Sequence, residues 1–362
     1  MSVIVNGFNG FEQFKCVSTF LKDSNHDKSI HGNANLNCGT AIYSNNSVLN
    51  LNFNSFPINF KTTFSLSWSY CLSYNGDTLW LFGYVGRKSN CIQNFKLPNG
   101  EKINQISCSR RHILCVTETG TCWQYNLETD KWKDLSGILT TEQHQEDTIR
   151  EVVVKVSCGE TITAVLTDKG SVYNMPNKLE MRGEKIVDVS CGRSHILMLS
   201  ERGEVFSVGE GSRGQLGHGE LENEEEPRLV EGLAGLVVVT VVCGGWHSCA
   251  LTSDGDLYSW GWNMAGQLGL YNRESRGKVS VQAIPQVVDW PDQSEVHVSK
   301  VACGARHTVT LLDDGSVWGC GWNGYNQLAL VGMDSVDQMT RLPVDGSVRH
   351  IVCGPWSTCF IT

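Results

Sequence analysis

Cys243-Gly244-Gly245-Trp246-His247, then Ser248-Cys249-Ala250-Leu251-Thr252, then Asp254-Gly255 and Leu257-Tyr258-Ser259-Trp260, is the stretch that decides the fold of this 362-residue chain. An Asp-Gly pair between two β-favouring runs marks a tight hairpin, because the turn needs positive φ. The pattern returns at Cys191-Gly192-Arg193-Ser194-His195 leading to Gly203, and at Cys303-Gly304-Ala305-Arg306-His307 leading to Gly315. Looser copies run from Cys108 through His112 to Gly120, and from Cys158 to Gly170 with Ile162 in the histidine position. A degenerate copy surrounds Trp68-Ser69-Tyr70 before Gly76, and a final one, Cys353-Gly354-Pro355-Trp356, reaches Thr362. Units of about 50 residues that cannot bury a face alone imply radial packing of blades, or an open array.

The two ends of the sequence choose between these. The final copy reads as a single strand without its partner, and Val3-Ile4-Val5-Asn6-Gly7-Phe8 matches Val317-Trp318-Gly319-Cys320-Gly321-Trp322 position by position. A split unit of this kind closes a ring and removes unpaired strand edges. The expectation is an all-β fold: one seven-bladed β-propeller over residues 1–362, closed by the N-terminal strand. The last blade is then shared between residues 1–14 and about 348–362.

A formal charge of -9 argues against a phosphate-binding footprint, so no direct nucleic-acid contact is expected. The start lacks a basic leader before an apolar run, and no stretch approaches the length of a membrane helix. The reading is a soluble intracellular protein, in nucleus and cytoplasm, monomeric and without cofactor. Fifteen cysteines with no Cys-x-x-Cys pair, many at one repeat position, read as small buried hydrophobes, not as a zinc site or a disulfide framework.

Gly209-Glu210-Gly211-Ser212-Arg213-Gly214 has dinucleotide-fingerprint spacing, but Gln215-Leu216-Gly217-His218-Gly219 follows and cannot start a helix. It reads as a repeat turn. The histidines His112, His195, His247 and His307 occupy equivalent places on different blades, which speaks against a shared ion and for satisfied backbone groups at blade junctions. The residues just before them, Arg111, Ser194, Trp246, Arg306 and Trp356, with Arg110 and Arg193 one step earlier, form by symmetry a ring at one end of the shaft. Trp and Arg dominate interface hot spots. The ring is either a partner-binding surface or tryptophans packed over the shaft with arginines paired to acids. A second equivalent set, Phe8, Tyr84, Trp262 and Trp322, is expected to pack against neighbouring blades. The run Glu220, Glu222, Glu224, Glu225, Glu226 reads as a solvated loop or a contact for a basic partner, and the long connections 126–151 and 271–299 as places for specificity.

These marks, the Cys-Gly-x-x-His repeat and the segments Gly209 to Gly217 and Gly261 to Gly269 ending in Gln-Leu-Gly, resemble the regulator of chromosome condensation repeat proteins. The Gly-Phe-x-Gly-Phe start and the Cys-Gly-Pro-Trp ending are similar to its small single-propeller members. That resemblance implies a non-enzymatic scaffold partnering a JmjC-type oxygenase or chromatin proteins, in regulation of histone methylation and in chromosome segregation. The alternative it implies is guanine-nucleotide exchange on a Ran-like GTPase, for which no dedicated wedge is found. No Ser/His/Asp set or carboxylate pair stands apart from the repeat, so no catalytic residue is expected.

Overall fold

The computed structural model describes residues 2–7, 49–52, 65–67, 69–83, 92–139, 151–270, 280–291, 296–344 and 346–362. Within them lie seven four-stranded antiparallel sheets. Six are simple meanders. The fifth runs Val238–Cys243, His247–Thr252, Leu257–Trp262 and Val281–Val287, and the sixth Val298–Cys303, His307–Leu312, Val317–Trp322 and Ser335–Arg341. The repeat cysteine thus ends the innermost strand and the repeat histidine begins the second. The innermost strand precedes the cysteine, so the Trp/Arg positions lie between the first two strands, not at the entry to the inner one.

The seventh sheet is the exception. Its order places Ser2–Gly7 between Leu49–Asn52 and Ser357–Ile361, with His350–Gly354 innermost. Val3 faces Ile361 and Gly7 faces Ser357 across an antiparallel ladder. The fold is therefore the expected all-β, seven-bladed propeller closed by the N-terminal strand. The blade is larger than the expected residues 1–14 suggest, since its outermost strand comes from residues 49–52. Phe8, residues 9–14, Trp68, Tyr84 and residues 140–150 and 271–279 lie outside the described residues.

Closure is visible where the seventh blade meets the first. A methyl added to Gly354 would stand 2.7 Å from Leu66 Cβ, too close for any real side chain. Elsewhere the cores lie between successive sheets. Leu197, Leu199 and Val205 of the fourth blade pack on Val238, Val241 and the fully buried Trp260 of the fifth. The 2-residue period of each strand makes this possible, because alternate side chains face the blade before and the blade after.

Two long connections are more structured than expected. Lys131–Asp134 and Val281–Val287 are outer strands within them. The acidic run is likewise no free loop, since Glu224–Leu229 is the outer strand of the fourth blade. Pro227 is tolerated there because an edge strand has one unpaired side. Arg228 holds Glu224 at 2.7 Å and Glu220 at 3.4 Å, while Arg182 reaches Glu226 at 3.5 Å. Among the described residues no helix is long and apolar enough to cross a membrane.

Candidate functional site

The Cys-Gly-x-x-His repeat builds one end of the shaft from the inside. The turn after each innermost strand hydrogen-bonds its backbone to the next blade: Glu160 N–H to Arg193 O at 2.9 Å, Arg193 N–H to Gly245 O at 3.0 Å, Gly245 N–H to Gly304 O at 3.2 Å, and Ala305 N–H to Pro355 O at 2.9 Å. Gly245 is glycine because a Cβ would meet Ala305 O at 2.7 Å. These turns rim a funnel of about 470 Å³ whose lining includes Arg110, Arg193, Trp246 and Trp356.

The repeat histidines hold the rim to the blades, and their partners are side-chain hydroxyls of the next blade rather than backbone groups. His195 Nε2 meets Ser248 Oγ, His247 Nε2 meets Thr308 Oγ1 and His307 Nε2 meets Thr358 Oγ1, each at 3.0 Å. Ser248 donates onward to Gln215 O at 2.8 Å, and Thr308 to Gln267 O at 2.7 Å. A hydroxyl that donates to a carbonyl must accept from the histidine, so His195 and His247 carry their proton on Nε2. Burial, with the neighbouring His247 a smaller cause, pushes His195 and His307 down to about 3, so both are neutral. The glutamines of the Gln-Leu-Gly segments belong to the same device: Gln215 Oε1 accepts from Arg213 N–H at 2.8 Å, and Gln267 Oε1 from Ala265 N–H at 3.0 Å. These residues are scaffold.

What the scaffold displays is a belt of alternating cations and aromatic rings across four successive blades. Arg193 pairs with Glu160 at 2.9 Å and stacks over Trp246 with its guanidinium carbon 4.7 Å from the ring centre. Trp246 meets Trp262 edge-to-face at 5.3 Å. Arg213 sits 5.0 Å and Arg306 4.8 Å from the Trp262 ring. Arg306 also reaches Trp356 at 5.8 Å, and Trp356 meets Trp322 edge-to-face at 4.9 Å. Tyr325 closes the belt against Trp322 at 4.7 Å. The four tryptophans, Tyr325 and Arg306 are half-buried, while Arg193 and Arg213 are exposed.

The two residue sets that the sequence kept apart are thus one surface. Trp262 and Trp322 do touch the following blade, but on the same end as Trp246, Arg306 and Trp356. Arg111 does not join it; it is exposed and makes no ring contact among the described residues, and Arg110 faces the funnel instead. Glu224, Glu225 and Glu226 lie on the outer strand, away from the shaft lining. Arg213 and Tyr325 were missed. Both stand two residues before a repeat glutamine, so their equivalence was readable once Gln215 and Gln327 were aligned.

Arg213 and Arg306 make no ion pair among the described residues, and Arg306 Nε is buried there without a hydrogen-bond partner. A guanidinium stacked on an indole is fixed in orientation, which leaves its terminal N–H groups rather than the buried Nε to meet a carboxylate. The belt can therefore hold an acidic segment with apolar neighbours. It contains no nucleophile-base pair.

Comparison with known proteins gives the same architecture. The regulator of chromosome condensation (RCC1) repeat matches residues 202–251, 254–311 and 314–361, and a second form of it matches 186–215, 238–267 and 298–327. RCC1 domain-containing protein 1 of Homo sapiens is 38% identical over 189 residues, which cover 42% of this chain and 50% of that protein. The ultraviolet-B receptor UVR8 of Arabidopsis thaliana is 32% identical over 311 residues, covering 75% of this chain and 66% of the receptor. The crystal structure of human WBSCR16 superposes with a TM-score of 0.72 at 18% identity, covering 100% of this chain and 99% of that one. The chain spans about half the length of RCC1 domain-containing protein 1, human or mouse. With repeat, blade count and ring closure in agreement, this chain belongs to the regulator of chromosome condensation (RCC1) repeat family.

Proposed function

We propose that this propeller is a non-enzymatic interaction platform whose Arg/Trp belt takes an acidic segment of a partner protein. The observation that carries the reading is Arg306, stacked between Trp262 and Trp356 with a buried Nε that has no partner. A half-buried guanidinium framed by aromatic rings is the type of residue on which interface free energy concentrates. By resemblance the partner is a JmjC-type oxygenase or a chromatin protein, and the setting is chromatin regulation and chromosome segregation in nucleus and cytoplasm. Prp20p of Saccharomyces cerevisiae, which shares the fold with a TM-score of 0.65 at 16% identity, was solved together with its binding properties to Gsp1p and histones.

The test is calorimetric titration of the full chain with a purified JmjC-type oxygenase. Arg306→Glu combined with Trp356→Ala should weaken binding about 100-fold, near 2.7 kcal/mol, with an unchanged circular-dichroism spectrum. Normal binding by the double variant, with loss on replacing 271–279 by a Gly/Ser linker, would sink the belt reading. Guanine-nucleotide exchange is the competing activity: accelerated release of a fluorescent nucleotide from a Ran-like GTPase would favour it over the platform.

A further inference from the structure

A serine contact that joins the earlier blades is missing from the later ones, where Val242, Ala302 and Val352 stand in its place, and the junction between the fifth and sixth blades fills the gap with sulfur. At three earlier junctions a serine just before the repeat cysteine reaches the next blade: Ser107, Ser157 and Ser190 Oγ each accept the backbone N–H of Cys158, Cys191 and Cys243 at 2.9 Å. The sulfurs of Cys191 and Cys243 then lie 3.2 and 3.1 Å from the carbonyls of Ser157 and Ser190. The fifth blade has Val242 in that place, which offers no hydroxyl. Opposite Val242 on the ladder stands Cys249, where the second, third, fourth and sixth blades have Leu114, Ala164, Leu197 and Val309; the seventh repeats the pair as Val352 and Cys359, but the first blade that follows it has Leu66 in place of the repeat cysteine. The Cys303 sulfur meets not a carbonyl but the sulfur of Cys249, 3.6 Å away.

A third donor faces the same point. His247 Nε2 is 3.0 Å from Thr308 Oγ1, and Cys303 Sγ is 3.8 Å from that same oxygen. One ring nitrogen of His247 and the sulfurs of Cys249 and Cys303 all lie within 4.8 Å of one another, the one such cluster of three among the described residues. Tetrahedral zinc with Zn–S near 2.3 Å separates two sulfurs by about 3.8 Å, close to the spacing already present.

We propose that His247, Cys249 and Cys303 form a zinc site between the fifth and sixth blades, loaded through the central funnel. Cys303 lines the funnel and supplies the entry path, while His247 and Cys249 are fully buried behind it. Two thiolates and a neutral imidazole balance the dication, so the occupied site carries no net charge into the interior; a monovalent soft ion would leave one negative charge there. Binding releases the two thiol protons and moves the imidazole proton from Nε2 to Nδ1, with Thr308 Oγ1 next to the fourth position. The sequence hid the site because its ligands come from two blades and show no Cys-x-x-Cys spacing.

The experiment is anaerobic titration of the reduced full chain with Co2+, read by thiolate-to-cobalt charge transfer and tetrahedral d–d bands, followed by displacement with Zn2+. One equivalent should bind with these bands, and Zn2+ should abolish them. Cys249→Val, which installs the residue the sixth blade carries at this position, should lose the signal with its circular-dichroism spectrum unchanged. Cys243→Ala, at an equivalent funnel-lining cysteine, should keep it. Absence of the bands in the unmodified chain, their survival in Cys249→Val, or their loss in folded Cys243→Ala would each overturn the site.

Discussion

Replacing Gly244 with alanine tests why the repeat reads Cys-Gly-x-x-His. The backbone at Gly244 does not have positive φ, so a Cβ is not excluded by conformation. It is excluded by space. A methyl there would overlap Cε1 and Nδ1 of the His247 ring and stand 2.7 Å from Gly304 O. The ring is enclosed, fully buried and anchored through Thr308 to Gln267 O, so it cannot swing away without breaking that relay. Overpacking of this kind costs about 1–3 kcal/mol, and stranding a buried hydrogen-bonding group costs about 1–3 more. Gly244→Ala should therefore lower the unfolding free energy by about 2–6 kcal/mol, measured by urea titration followed by circular dichroism. The diagnostic step is the double-mutant cycle with His247→Ala. Once the ring is gone only the approach to Gly304 O remains, and adding Gly244→Ala should cost about 1 kcal/mol, a coupling of about 1–5 kcal/mol. A neutral Gly244→Ala, or a cost unchanged in the His247→Ala background, refutes the reasoning.

Three further outcomes follow from the same structure. Thr308→Val should leave His247 Nε2–H and Gln267 O without their shared partner and cost about 2 kcal/mol; Thr310→Val, whose hydroxyl makes only a 3.5 Å contact to Trp318 O, should cost less in the same urea assay. Because His195 and His307 stay neutral in the fold, with values near 3, the unfolded chain binds more protons than the folded one below pH 6.5. Their contribution is complete above pH 6.5 and falls as pH drops toward 3, by about 2.5 kcal/mol for each histidine at pH 4.5; a flat stability between pH 7 and 4.5 would contradict it. Removing residues 2–7 should deprive the seventh sheet of a central strand and open the ring, seen as rapid proteolysis under conditions where the full chain survives.

The propeller itself was legible in the residues. Asp-Gly pairs, the Cys-Gly-x-x-His period and the match between residues 3–8 and 317–322 are local patterns, and local patterns report strand, turn and repeat because those depend on neighbours in sequence. The ring of Trp and Arg was likewise readable as a set, since symmetry puts equivalent positions at one end of the shaft.

Partnership across blades was not readable. Which hydroxyl receives His247, that Arg306 stacks on Trp262 rather than meeting an acid, and that Arg111 stays out of the belt, all depend on contacts between residues some 50 positions apart. The zinc cluster is the sharpest case: Val242 and Cys249 look like ordinary apolar strand residues until Cys303 of the next blade is set beside them. Sequence by itself determined the blade and the ring, because each repeat specifies its own hairpins. Only the tertiary structure decided what the blades say to one another, because side chains on facing sheets choose partners by distance and free space, which a period of about 50 residues does not encode.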